Sequence, residues 1–151
     1  MTALSPQDRQ SLRSVYAPPA AAGGWRLEQL AGHGRVRYYA YGRHALHEAL
    51  RAAGVGAGDR VLLPEFICRE VLSALAACGA QAAWYPVDRA LAPAVDLDAL
   101  PAAKAIVAVD YFGFAQDLAP FERYCARSGA VLIEDNAHGL CSRDEAGYAL
   151  G

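Results

Sequence analysis

The segment Val131-Leu132-Ile133-Glu134-Asp135-Asn136-Ala137-His138 decides how the rest of the chain is read. Three apolar residues run straight into two acids, and a histidine follows three positions after the second. A short apolar run bounded in this way reads as a strand. In an open α/β sheet the two acids would then stand at its carboxyl end, where such sheets place their ligands. Asp135 closes the run and is expected to be partly buried, where a carboxylate persists only when paired with a cation or several donors. A ligand cation would serve, and His138 is close enough to share the site. The same residues are equally fit for a metal, a phosphate or, as a solvated strand end, plain water.

Immediately upstream, Asp117 can cap a helix that carries Pro120 in its first turn, turns Phe121, Tyr124 and Cys125 inward and closes at Gly129. Before it, Ala105-Ile106-Val107-Ala108-Val109-Asp110 is a continuous apolar run, as in a parallel sheet covered on both faces. The spacing further predicts a strand over 82–87, a helix over 66–78 with Val71, Leu72, Leu75 and Cys78 inward, and a short buried strand over 60–64. His44 to Ala53 has apolar residues at helical spacing, and Arg35 to Tyr41 reads as a strand stopped by Gly42. Gly54-Val55-Gly56-Ala57-Gly58-Asp59 resembles a dinucleotide fingerprint, but it follows a helix and precedes a strand, the reverse of what phosphate binding requires, so it is a turn. Strand and helix alternate throughout, which implies an α/β sandwich with a mostly parallel sheet. Residues 1–24 end in an Ala, Pro and Gly-rich stretch and read as an arm or linker. Trp25–Leu30 reads as a short helical turn and Gly32-His33-Gly34 as a loop.

The 151 residues suit one domain, 54% hydrophobic and 20% charged, with a net charge of -2. That balance excludes a disordered chain and argues against nucleic acid as a partner, leaving small molecules or proteins. Thirteen arginines stand against one lysine, Lys104. Cys68, Cys78, Cys125 and Cys141 are far apart and show no zinc spacing, as expected of reduced thiols. The N-terminus lacks the blocks of a signal peptide and no apolar run approaches ~18 residues, so a soluble, cytoplasmic protein is expected, away from membranes.

Three points converge on the carboxyl ends of strands: Gly42-Arg43-His44 at a helix start, Asp110-Tyr111-Phe112-Gly113, and Glu134-Asp135-Asn136-Ala137-His138. The first offers free backbone N–H groups where the helix dipole favours an anion such as phosphate, although without further context an ordinary strand-to-helix turn is the leading reading. The second is an acid with an aromatic wall, or simply the end of a buried strand.

In order and spacing, over about residues 36–145, these segments resemble the N-terminal half of the large domain of fold-type-I pyridoxal-phosphate (PLP) enzymes, and most closely the DegT family of sugar aminotransferases. The carrying segments are Gly42 to Leu50, Gly58-Asp59-Arg60-Val61-Leu62-Leu63-Pro64, Asp110-Tyr111-Phe112-Gly113 with Asp117, and Ile133 to His138. The resemblance implies a three-layer sandwich, the aspartate aminotransferase-like large domain, present only in part, with residues 25–151 as its N-terminal portion. It implies that Gly42, Arg43 and His44 match the turn whose amides hold the cofactor phosphate. Asp135 matches the aspartate that pairs with the pyridine nitrogen and keeps it protonated, so the ring can draw off electrons. His138 stands where the family usually has a glutamine beside the ring. The aromatic that stacks on the ring falls at Cys68, where a thiol can touch but not stack. Arg43 for threonine, Asp110 for histidine, Cys68 for an aromatic and His138 for glutamine mark a divergent branch.

The Schiff-base lysine of the family is expected beyond Gly151, and Lys104 falls at the wrong end of its strand to replace it. The 151 residues alone are therefore expected not to transaminate. The full protein is expected to transfer an amino group from a donor to a keto substrate, keto sugars included, as a homodimer. Two rival readings stand beside this. One is a non-catalytic binding or assembly module that keeps the fold. The other is a metal-dependent hydrolase using Asp110, Glu134, Asp135 and His138, although nothing in their spacing demands a metal.

Overall fold

The structure, a computed structural model, describes residues 36–139, 142–145 and 147. The expected arm over 1–24, the turn at 25–30 and the loop at 32–34 lie outside the described residues, as does Cys141. Chain contacts define one compact unit over Tyr39–Gly151; of the other, Met1–Tyr38, only residues 36–38 are described.

Among the described residues the α-helices and strands follow in the order α1 (Gly42–Ala52), β1 (Arg60–Pro64), α2 (Glu70–Cys78), β2 (Gln81–Tyr85), β3 (Ala105–Val109), α3 (Ala119–Ser128) and β4 (Val131–Asp135), with single 3-10 turns at Leu97–Ala99 and Tyr111–Gly113. The four strands form one parallel sheet in the order β2-β1-β3-β4. Ala105, Ile106, Val107 and Ala108 are all fully buried, which is why β3 is apolar at every position and not only at alternate ones.

Side chains alternate across the sheet and build a core on each face. Val61, Leu63, Ala105 and Val107 pack with Leu46 and Leu50 of α1 and Val71, Ala74 and Leu75 of α2. Leu62, Ile106 and Ala108 pack on the other face with Tyr85, with Leu97 from the β2–β3 connection, and with Phe121 and Tyr124 of α3. The result is the three-layer α/β sandwich of the sequence reading, with every paired strand parallel.

Local chemistry sets the boundaries. Asp117 Oδ1 accepts from Ala119 N at 3.0 Å at the start of α3, Pro120 follows in its first turn, and Gly129 ends it at φ 75°. The Gly54–Asp59 stretch is the turn expected between α1 and β1, held by Gly56 N donating to Asp59 Oδ2 at 2.9 Å.

Some expectations are corrected. Residues 36–41 do not form a strand: they carry no ladder, although Tyr41 keeps extended dihedrals, and α1 begins at once at Gly42. An extended segment becomes a strand only when a neighbour pairs with it, and none of the four described strands does. The helix expected over 66–78 begins only at Glu70, because residues 66–69 turn over the sheet edge. Its buried stripe is Val71, Ala74 and Leu75, so Leu72, one step off the stripe, is exposed. The strand expected over 82–87 ends at Tyr85, ahead of Pro86.

Candidate functional site

The chain leaves β1 toward one side of the sheet and β3 toward the other, so the carboxyl ends of these two strands flank the topological switch point. Phe66 after β1 and Tyr111 after β3 meet there with ring centroids 5.7 Å apart, and the Tyr111 hydroxyl donates to Phe66 O at 2.5 Å. Burial, and then the negative charge of Asp135, push the Tyr111 hydroxyl up to about 12, so it remains a donor. Phe66 is 55% exposed, an apolar ring left open on the ligand edge of a sheet.

Asp135 ends β4, opposite Val109, and shares the strand face of Ile133, which packs against the α1–α2 core. Its carboxylate is half-buried, and Oδ1 accepts from Ala137 N at 3.1 Å. On that face α1 opens at Gly42 with no side chain capping its first turn. Apart from its own chain neighbours and helix backbone, no atom of the described residues lies within 4 Å of where a Cβ on Gly42 would stand. Arg43 is drawn sideways, with Nη1 3.2 Å from Glu70 Oε2 and its guanidinium 4.3 Å over the Tyr41 ring. The His44 ring meets the Tyr41 ring edge-on at 5.4 Å.

His138 joins the second and third convergent segments. Its ring stacks on Phe112 at 5.8 Å, and its Nδ1 accepts from Phe112 N at 3.3 Å. Phe112 adopts a left-handed φ of 57° to present that N–H. Gly113 follows at φ 82°, where a Cβ would stand 2.8 Å from Ser142 Oγ and 3.1 Å from Gly139 Cα. Glycine is required on both counts, and the close approach fixes the corner against the His138–Gly139 turn.

Asp110 points to the opposite face and is 1% exposed. Its Oδ1 accepts from Gln116 N at 3.0 Å, while Oδ2 is enclosed without a donor among the described residues. Burial first, and then the neighbouring Glu134 carboxyl, push Asp110 up to about 6 against the smaller opposing effect of the Gln116 N–H.

The structure therefore brings Asp135, His138 and the Tyr111–Gly113 corner together at one edge and sets the α1 N-terminus on the Asp135 face. Cys68 is an exposed free thiol on the turn between β1 and α2. The large ring on that turn is Phe66, which sequence reasoning passed over. Its signal was a phenylalanine directly after a buried strand and an acid, at a position where a core aromatic has no place to go. Lys104 lies at the amino edge: its N bonds Arg60 O, its O receives Val131 N, and its Nζ is 3.8 Å from where a Gly54 Cβ would stand. Among the described residues no three His, Cys, Asp or Glu side chains gather as a metal site. No described helix is long and apolar enough to cross a membrane.

A parallel three-layer sheet with a carboxylate, an open helix N-terminus and exposed rings around its switch point defines a cofactor-binding α/β domain. A family model matches residues 26–148, and the chain belongs to the DegT/DnrJ/EryC1/StrS aminotransferase family. Solved structures agree. A 3-amino-5-hydroxybenzoic acid synthase is 31% identical with a TM-score of 0.61, the match covering 68% of this chain and 28% of that one. The aminotransferase TlmJ from Streptoalloteichus hindustanus is 33% identical with a TM-score of 0.58, covering 66% and 28%. NtdA from Bacillus subtilis, solved with bound cofactor PMP, shares the fold with a TM-score of 0.65 at 24% identity, covering 83% and 32%. The chain thus spans about a third or less of the length of these structures. Family membership points to pyridoxal phosphate as the cofactor, and the residues present fit it: an open helix N-terminus for phosphate, a carboxylate for a ring nitrogen, and aromatic walls.

Proposed function

We propose that this chain carries the cofactor-binding core of a PLP-dependent aminotransferase that moves an amino group from a donor onto a keto substrate, and that the complete protein is a cytoplasmic homodimer. The observation that carries this reading is Asp135 at the end of β4, on the same sheet face as the open N-terminus of α1. One similar structure is named as the synthase of an amino-substituted aromatic acid, which supports amino-group transfer onto a small molecule; a keto compound, keto sugars included, remains the proposed acceptor.

In this reading the first-turn amides of α1 at Gly42 and Arg43 hold the cofactor phosphate through the helix dipole, while the amide of His44, expected to join them, is already donated to Tyr41 O at 2.9 Å. The free oxygen of Asp135 takes the protonated ring nitrogen and keeps it charged. When bound, the cofactor supplies an electron sink for the carbon that loses its proton. Phe66 gives the ring an apolar face, Cys68 stands at its rim, and Phe112 and His138 close the opposite wall against water. Amino transfer also needs a lysine that shuttles the proton, and these 151 residues place none at this edge.

The rival reading is a module that binds the cofactor and does no chemistry. Titration with PLP, followed by absorption and by ring fluorescence, tests both. Saturable binding is expected, weakened about tenfold or more by Asp135→Ala, since a hydrogen-bonded charge is worth ~1.5–3 kcal/mol. Binding indifferent to Asp135 overturns the site. Borohydride should trap no adduct at Lys104, and a trapped one would contradict the placement of that lysine. Assaying a form that includes the family lysine separates enzyme from module.

A further inference from the structure

Given the cofactor reading of this sheet edge, on which the inference rests, we propose that the Arg43 side chain is a further ligand of the cofactor phosphate and that Glu70 competes with the phosphate for it. Of the amides at the start of α1, those of His44 and Ala45 already donate to Tyr41 O, at 2.9 and 3.3 Å, which leaves Gly42 and Arg43. A phosphate presents three strong acceptor oxygens and nearly two negative charges. Two amides and the partial charge of a helix end do not match them. A guanidinium does, because its planar fork meets phosphate oxygens with two parallel hydrogen bonds.

The side chain is already placed for this. In a helix the Cα–Cβ bonds tilt toward the N-terminus, so the second residue of α1 sends its side chain back toward the helix start. The Arg43 guanidinium accordingly stands 4.3 Å over the ring of Tyr41, the residue before the helix. Its Nη1 is 3.2 Å from Oε2 of Glu70, the first residue of α2, so one ion pair joins the entries of both helices that pack on the Asp135 face of the sheet. The pair is open to water, its side chains 36% and 55% exposed. Exposed pairs of this kind are weak, whereas paired charge-assisted bonds to a phosphate are strong. Arg43 therefore exchanges Glu70 for the phosphate, an exchange of ion partners with no covalent step. Until then Glu70 keeps the guanidinium at the helix entry, and by competing for it lowers the affinity for phosphate. Lys104, the single lysine, lies at the amino edge and takes no part.

Binding of PLP and of pyridoxal, which lacks the phosphate, tests it, followed by absorption and ring fluorescence in the wild type and in variants. Arg43→Ala should weaken PLP binding about tenfold or more and leave pyridoxal binding within about twofold. Arg43→Lys keeps the charge and loses the fork, so it should recover only part of that loss. Glu70→Gln should tighten PLP binding about threefold, and the gain should vanish in the Arg43→Ala background. Inorganic phosphate alone should shift the NMR signal of Arg43 Nε, which reports the guanidinium directly. Should Arg43→Ala not fold, Arg43→Lys and the phosphate titration decide. Wild-type PLP affinity in Arg43→Ala, an equal loss for PLP and pyridoxal, or a Glu70→Gln gain that persists without Arg43 overturns the exchange and leaves the cofactor reading standing. A wild type that binds no PLP overturns both.

Discussion

Asp110 is the one buried charged side chain recorded among the described residues, so its protonation shows in stability. Its folded value is raised from 3.8 to about 6. A raised value means that its contribution to stability is fully present below about pH 4 and is lost as the pH climbs through about 6. Asp110→Asn stays neutral throughout. The variant should match the wild type near pH 4 and exceed it above pH 7 by on the order of 2 kcal/mol, read from urea denaturation at each pH. Tyr85 behaves differently. Burial raises its hydroxyl out of any accessible range, so it is a permanent donor, 2.7 Å from Val107 O. Tyr85→Phe should cost about 1 kcal/mol at every pH, and a cost that varied with pH would mean that the hydroxyl ionises.

At the scale of elements, the sheet is held from its middle. Ile106 of β3 is fully buried between α3 and the strands beside it, and Ile106→Ala should cost about 2–5 kcal/mol, with denaturant midpoint the measure. The connections are more specific. Gly129 turns α3 into β4 at φ 75° with open space around it, so Gly129→Ala carries only the backbone penalty of about 1 kcal/mol. Gly113→Ala meets the same penalty plus Gly139 Cα at 3.1 Å and Ser142 Oγ at 2.8 Å. It should cost more than Gly129→Ala and abolish the near-ultraviolet dichroism of the Phe112–His138 stack, while Gly129→Ala leaves that signal intact.

For the molecule as a whole, binding and stability are linked. A cofactor that binds only the folded chain at a hundredfold excess over Kd stabilises it by about 2.7 kcal/mol. In a chain of this size that raises Tm by about 5–11 °C. PLP should produce such a shift, and Asp135→Ala should remove most of it. Asp135 is half-buried and its carboxylate accepts only from Ala137 N among the described residues, so the unliganded Tm should barely move. An equal shift in both proteins would locate the binding elsewhere.

The sequence by itself determined the alternation of elements, the parallel sheet, the position of β1, β3, α3 and β4, and the family. Each of these is written locally, in an apolar period, a cap, a glycine or a proline. It also placed Lys104 at the amino edge, because a strand has a direction. Tertiary structure decided what depends on a neighbour. Residues 36–41 look like a strand, yet an extended segment has no ladder without a partner. Phe66, which drew no reading of its own, is left as an open ring two residues past the end of β1. Asp110 reads as a solvated strand end, and Glu134 as one of two equivalent acids. The β3–β4 register sets Glu134 on the sheet face of Asp110 and Asp135 on the other, and that register is fixed only when the two strands meet.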